Sequence, residues 1–255
     1  MISGKDIVSG EALSCLAEAH WRAVGNGSAL RNIAKRQVTR VCYDSRTFIV
    51  KTYRLGILRR LLGLRVRAFD FMDCLAGLTP PCVCDCVMGD WQFAVFEDAG
   101  KNNLFYYDYQ VPDDASTLGH FAEAGRLLAE MHRRNVFHGD TKSPNFVINE
   151  NCHDLPPVVI VDCDNVRQYK ELPVMKAAFN LAQFIESGHG KPPVESLVSH
   201  FGAFCDAYKD AAGLDEPQWK HLFLLAMDIA ENNRHIERRT KTEAIIGLKK
   251  QQGVE

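Results

Sequence analysis

The stretch His138-Gly139-Asp140-Thr141-Lys142-Ser143-Pro144-Asn145 decides how the chain reads. Before it, Leu118, Phe121, Ala124, Leu128 and Met131 recur at helical spacing. Ser116 or Thr117 is the expected N-cap of that helix, and Arg134-Asn135 its end. After it, two short apolar strands are expected, Phe146 to Ile148 and Val158 to Val161. The second runs into Asp162-Cys163-Asp164.

Upstream, the apolar run Phe48-Ile49-Val50 leads into Lys51. The chain therefore carries, in order, a strand lysine, the pattern D-x-K-x-x-N, and a strand-terminal aspartate. Phosphoryl transfer needs these residue types. A lysine ammonium holds the α- and β-phosphates, an asparagine and an aspartate ligate the bridging Mg²⁺, and a second aspartate orients the acceptor hydroxyl. A neighbouring lysine neutralises the transferring group. Mg²⁺ prefers carboxylate and amide oxygens, which Asp162 and Asn145 provide.

The rest of the chain frames this set. Ile7 to Val24 reads as a helix. Gln37 to Asp44 and Thr47 to Tyr53 flank Ser45-Arg46 as a hairpin, and Cys82 to Met88 and Gln92 to Phe96 form a second one turning at Gly89-Asp90. Ile57 to Leu75 has helical spacing with an arginine-rich face, and helices are expected beyond Glu171, among them 175–186, 194–212 and 217–232. The expected fold class is α+β, with a small β-rich lobe, a hinge near 97–103 and a larger helical lobe. The expected divisions are an N-terminal helical segment over 1–27, the small lobe over 28–100 and the large lobe over 101–255.

This order and spacing resembles the protein-kinase-like superfamily over roughly residues 28–190. The resemblance implies a bilobal fold, ATP and Mg²⁺ as cofactors, Asp140 and Lys142 as catalytic residues, and Asn145 and Asp162 as metal ligands. It implies Lys51 as the nucleotide lysine, Asp73 or Asp70 as its helix partner with Asp73 favoured, and Glu97 as the hinge that meets adenine through its backbone. His138 is read as a structural residue. His-Gly-Asp and Asp162-Cys163-Asp164-Asn165 are similar to bacterial lipopolysaccharide core kinases, which phosphorylate Kdo or heptose sugars. The segment from Leu127 to Ile148, Asn180-Leu181 and the run Gly77 to Pro81 share that character, and Lys142 favours this group over aminoglycoside-type phosphotransferases. The resemblance thus implies a sugar hydroxyl of lipopolysaccharide core, or another phosphorylated or anionic acceptor. A protein Ser/Thr kinase or a small-molecule phosphotransferase of the same fold is the alternative, and a pseudokinase scaffold is the reading from another class.

Four departures stand out. The loop between the first two strands, near Ile33 to Gln37, holds no glycine, which leaves Lys35 or Arg36 to help hold phosphates. The helix acid is an aspartate, not a glutamate. The metal motif lacks its glycine, and there is no Ala-Pro-Glu segment, which argues against a regulated protein kinase.

With 255 residues, 46% hydrophobic and 24% charged, the composition excludes disorder and a disulfide miniprotein. The net charge of −2 hides an asymmetry. Ser28 to Phe69 holds eleven Lys/Arg and one acid, a balance of +10; Asp70 to Ala115 holds nine acids and one Lys, a balance of −8. Such asymmetry points to a partner. The Arg54 to Arg67 cluster, interleaved with leucines, suits an interfacial helix on an anionic membrane surface. No nucleic-acid reading motif accompanies the charge. The first twenty residues carry charges that break a signal sequence, and the nine cysteines are odd in number, so cytosolic thiols are expected; the resemblance to lipopolysaccharide core kinases implies a peripheral position at the inner membrane. Cys82, Cys84 and Cys86 are expected as strand cysteines whose sulfurs share one face.

Overall fold

The computed structural model describes residues 9–64, 72–105, 115–187, 194–232 and 238–254. The chain forms two compact units. The first joins the N-terminal residues up to Met72 with Pro80–Asp98, and the second joins Asp73–Thr79 with Ala99–Glu255. The class is α+β, as expected, with the strands of the large sheet in the first unit and most helices in the second.

The first unit is a five-stranded antiparallel sheet in the order β1-β2-β3-β5-β4. Its strands are β1 (Arg31–Ile33), β2 (Arg36–Tyr43), β3 (Arg46–Arg54), β4 (Cys82–Met88) and β5 (Trp91–Glu97). The period-2 alternation sorts its side chains. Val41, Phe48, Val50, Phe93 and Val95 face helix α1 (Gly10–Gly25), whose Leu16 and Ala17 complete that core. Burial is sealed by a polar network. His20 of α1 reaches Thr39 through Nδ1 (2.8 Å) and Thr52 through Nε2 (3.1 Å), and the Thr52 hydroxyl donates to Gln37 Oε1 at 2.9 Å. Because that hydroxyl is spent as a donor, Nε2–H donates to Thr52 and Nδ1 accepts from Thr39. Burial holds the His20 imidazole neutral, lowering its pKa to about 4.

Two expectations are corrected here. The β2–β3 turn is Asp44-Ser45, one residue earlier than expected, because both residues take positive φ (48° and 60°). Those values make a two-residue turn whose twist matches the strands. The helix expected over 57–75 is a five-residue turn, α2 (Ile57–Leu61). Gly63 stops it at φ +62°: Gly63 N–H donates to Arg60 O at 3.1 Å and Leu64 N–H to Arg59 O at 2.8 Å. That is the Schellman closure, which glycine permits. Residues 65–71, including Asp70, lie outside the described residues. In β4 the register shifts between Cys82 and Cys84. Cys84 and Cys86 pack against the α1-side core, but the alternation does not run unbroken through all three cysteines.

The second unit is built on helices α3 (Ala115–Arg133), α4 (Val174–Ser187), α5 (Val194–Ala212), α6 (Glu216–Asn232) and α7 (Arg238–Gln251). Ser116 and Thr117 fall inside the first turn of α3 rather than before it. Helices α3 and α5 approach closely at Gly125, where a Cβ would run into the Phe204 carbonyl. Phe184 of α4 stacks on Phe204 of α5 at 3.8 Å between ring centroids. Two short antiparallel ribbons complete the unit. One pairs β6 (Val136–Phe137) with β9 (Arg167–Gln168), and the other pairs β7 (Phe146–Ile148) with β8 (Val158–Ile160). Residues 73–79 lie alongside: Leu78 O accepts from Ile160 N–H at 3.0 Å, and Arg134 donates to Ala76 O at 2.8 Å.

Candidate active site

The loop between β6 and β7 gathers three of the sequence-derived residues. Lys142 Nζ lies 2.9 Å from Asp140 Oδ1. Asn145 Nδ2 donates to Asp140 O at 2.7 Å and to Asp140 Oδ2 at 3.2 Å. Asp140 is thus held by an ammonium on one oxygen and an amide on the other. The side chain of Asp140 remains 24% exposed and that of Lys142 56% exposed, so both can meet a ligand.

The β7–β8 ribbon brings the fourth residue to this loop. Phe146 pairs with Ile160, and the Val161 N–H donates to Asn145 O at 2.8 Å. Asn145 enters the ribbon where Asp162 leaves it, so both sit at the same end. Asp162 is half-buried and takes a left-handed backbone, φ 61° and ψ 47°, before a 3-10 turn at Cys163–Asn165. A residue other than glycine held there carries local strain, a condition that recurs at ligand sites. Asn145 spends its amide N–H on Asp140, which leaves its amide oxygen as the donor toward a cation. One amide oxygen and one carboxylate form the kind of set Mg²⁺ takes when phosphates and water supply the remaining ligands. The residues present therefore fit Mg²⁺.

Helix α4 supports the loop from below with polar residues that sequence reading did not assign. The Thr141 hydroxyl donates to Asn180 O at 2.6 Å, and Thr141 N–H donates to Gln183 Oε1 at 3.2 Å. Gln183 Nε2 donates to Gly139 O at 3.2 Å. Ser143 N–H donates to Ser187 Oγ at 2.7 Å, and that hydroxyl donates to Phe184 O at 2.7 Å. Asn180, Gln183 and Ser187 fall at i, i+3 and i+7 on one face of the helix. Behind them, His132 Nε2–H donates to Asn180 Oδ1 at 3.2 Å, and His132 Nδ1 accepts from the Tyr208 hydroxyl at 2.7 Å. Burial lowers the His132 pKa to about 4 and raises that of Tyr208, so the relay is neutral.

Within the loop, His138 is fully buried, and its Nδ1 accepts the Asp140 N–H at 3.3 Å. Gly139 has φ +80°; a Cβ there would sit 3.0 Å from Asn165 Cβ and 3.2 Å from Phe137 Cε1. Only glycine meets both conditions.

The remaining candidates lie elsewhere. Lys51, in the first unit, sits on central strand β3 between Val38 and Ala94, on the face opposite α1. It is buried, with Nζ 5.6 Å from the Phe96 ring centroid. Glu97 ends β5; its side chain pairs with Arg46, and its N–H donates to Pro81 O at 3.1 Å. Beside it, Asp98 is buried in a two-pronged pair with Arg40, at 2.7 and 2.9 Å. The β1–β2 turn is the two residues Ala34-Lys35. Asp73 is exposed and belongs to the second unit.

No family model matches the chain, and no curated protein matches it. Among solved structures, the chain is similar to WaaP in complex with acyl carrier protein, at 18% identity over 77% of this chain and 88% of that one, with a TM-score of 0.48. It is also similar to the pseudokinase domain of BIR2, an immune regulator of the RLK/Pelle family, at 14% identity over 92% of this chain and 85% of that one, with a TM-score of 0.48.

Proposed function

We propose that the protein is an ATP- and Mg²⁺-dependent phosphotransferase acting on an alcohol hydroxyl. One observation carries this reading: Asp140, Lys142 and Asn145 are interlocked in one loop, with Asp162 at the adjoining end of the β7–β8 ribbon. In this reading Asp140 orients the acceptor hydroxyl and takes its proton as the oxygen attacks the γ-phosphorus. The bond to the β-phosphate oxygen breaks, and ADP leaves. Lys142 moves from Asp140 to the transferring group and screens its charge. Asn145 and Asp162 hold Mg²⁺, which when bound neutralises charge on the phosphates. Lys51 anchors the α- and β-phosphates, and Glu97 meets adenine through its main chain.

For the acceptor, the His-Gly-Asp loop and Asp162-Cys163-Asp164-Asn165 support a sugar hydroxyl of lipopolysaccharide core, Kdo or heptose, reached from the cytosolic membrane face. Labelled ATP offered with core-sugar lipids, peptides and aminoglycosides tests both levels. Phosphate should appear on the core sugar, and Asp140→Ala should abolish it. Label on a peptide or aminoglycoside alone would move the acceptor assignment, and undiminished transfer by Asp140→Ala would remove the mechanism.

The two-residue Ala34-Lys35 turn favours a second reading, a nucleotide-free scaffold, because so short a turn offers few amides to phosphates. Titration with ATP separates the two. Binding that requires Mg²⁺ and is lost in Asp162→Asn supports the enzyme; no binding at millimolar ATP supports the scaffold.

A further inference from the structure

The first unit carries an apolar surface that phosphoryl transfer does not use. No residue of α2 is buried. Ile57, Leu58, Leu61 and the following Leu62 are 68%, 75%, 77% and 67% exposed. At about 100° per residue these four fall within about 140° of arc, with Arg59 and Arg60 on the other side. An amphipathic helix of a globular protein turns such a stripe toward its core. This one turns it to water, and contiguous exposed apolar surface marks an interaction site.

Hydrogen bonds tie the chain that leads from β3 into α2 to two neighbouring turns. Arg54 N–H donates to Lys35 O at 3.0 Å, and Leu55 N–H donates to Asp90 O at 2.8 Å. The aliphatic face therefore belongs to one end of the sheet, where Val87 and Met88 are also exposed. Lys35, Arg54 and Arg59 are exposed at this end, and among the described residues none has a carboxylate partner. The acid at this end, Asp90, is paired with Arg60. The surface is thus aliphatic in the middle, cationic at its margin and net positive.

We propose that this end of the first unit docks on an anionic lipid surface. The aliphatic side chains of α2 enter the boundary between headgroups and acyl chains, and Lys35, Arg54 and Arg59 meet the headgroup phosphates. Charge complementarity selects the occupant: an apolar face alone would fit any apolar partner, but the cationic margin requires an anionic one. A single protruding helical turn suits a fluid interface, whereas an acidic protein would have to present a matching groove. No helix among the described residues is long and apolar enough to cross a membrane, so the contact is superficial. The proposal stands apart from the phosphotransferase reading, and its test reads binding alone.

The test is co-sedimentation of the full chain with phosphatidylcholine vesicles, with and without about 30% phosphatidylglycerol. Binding should be at least tenfold stronger on the anionic vesicles and fall with added salt. The pair Leu58→Ser and Leu61→Ser should weaken it about tenfold or more. The pair Arg54→Gln and Arg59→Gln should weaken it about 30-fold. All four positions are exposed, and the pairs are independent, so a folding defect in one leaves the other informative. Equal binding to both vesicle types, or undiminished binding by a folded variant pair, overturns the proposal. So does an absence of vesicle binding accompanied by self-association, or by binding to an acidic protein, that the leucine pair removes.

Discussion

Gln183 is the sharpest single test of how α4 positions the loop. Its amide oxygen accepts the Thr141 N–H at 3.2 Å, and its amide nitrogen donates to Gly139 O at 3.2 Å. Both contacts flank Asp140 in sequence. Gln183→Met keeps the length and removes both partners. Thr141 is fully buried, so its orphaned N–H incurs most of the usual penalty; Gln183 itself is half-buried, which lets water reach part of the gap. An unsatisfied buried group costs about 1–3 kcal/mol, and the partial access argues for a total of about 2 kcal/mol. For a chain of this length that lowers Tm by about 4–8 °C in a thermal melt. Releasing the backbone on either side of Asp140 should also lower kcat by about 10–100-fold. The KM for ATP should change by no more than about twofold, because the residues proposed to hold ATP and Mg²⁺, Lys51, Asn145 and Asp162, are untouched. Wild-type Tm and kcat in Gln183→Met would refute the claim that α4 fixes the loop. An unchanged kcat with a lowered Tm would make Gln183 a purely structural residue.

Four further outcomes follow from particular contacts. Gly139→Ala places a Cβ at φ +80° against Asn165 and Phe137 and should cost about 1–3 kcal/mol, read as a lower Tm together with lost transfer. Asp162→Asn keeps a residue that tolerates the left-handed backbone but removes the charge; Tm should hold within about 2 °C while Mg²⁺-dependent ATP binding weakens at least tenfold. His20 and His132 titrate near 4 in the folded chain against 6.5 unfolded, so the unfolded chain binds more protons between those values, and the stability is present above 6.5 and lost as pH falls toward 4. Denaturant melts at pH 7 and pH 5 should differ by about 2 kcal/mol for each histidine, and His20→Gln should remove its share. Arg40→Met strands the buried Asp98 carboxylate and should cost about 3 kcal/mol, read in the same melts.

Local chemistry made the loop and the β7–β8 ribbon legible in the sequence. Asp140, Lys142 and Asn145 are close in the chain, so their mutual contacts need only one loop. The Gly89-Asp90 turn was legible because glycine there takes φ +59° and closes two alternating strands. The support from α4 was not, because Gln183 and Ser187 acquire their roles only when the helix packs beneath residues some forty positions earlier. The pairing of Thr52 with His20 is likewise tertiary, joining positions 32 apart. The helix over 57–75 was misread for another reason. Leucines at helical spacing indicate an amphipathic face but not its burial, and Gly63 ends the turn before that spacing can extend.

The charge asymmetry shows the same division between pattern and placement. In sequence, a +10 block precedes a −8 block, an asymmetry that points to a partner. In the sheet, β3 of the first block lies beside β5, and the blocks meet: Arg40 pairs with Asp98, Arg46 with Glu97, and Arg60 with Asp90. Each pair takes its cation from one block and its anion from the other. Three of the eleven cations are therefore neutralised internally, between segments that antiparallel pairing brings together. The Arg40–Asp98 pair contributes most, since its carboxylate is buried and doubly bonded, whereas the two exposed pairs contribute about 0–1 kcal/mol each. Subtracting these pairs, and Lys51 on its buried strand position, leaves among the described residues Arg31, Lys35, Arg36, Arg54 and Arg59, of which Lys35, Arg54 and Arg59 lie at the α2 end. Those three coincide with the exposed aliphatic face, and the coincidence, rather than the block total of +10, is what implies an anionic surface.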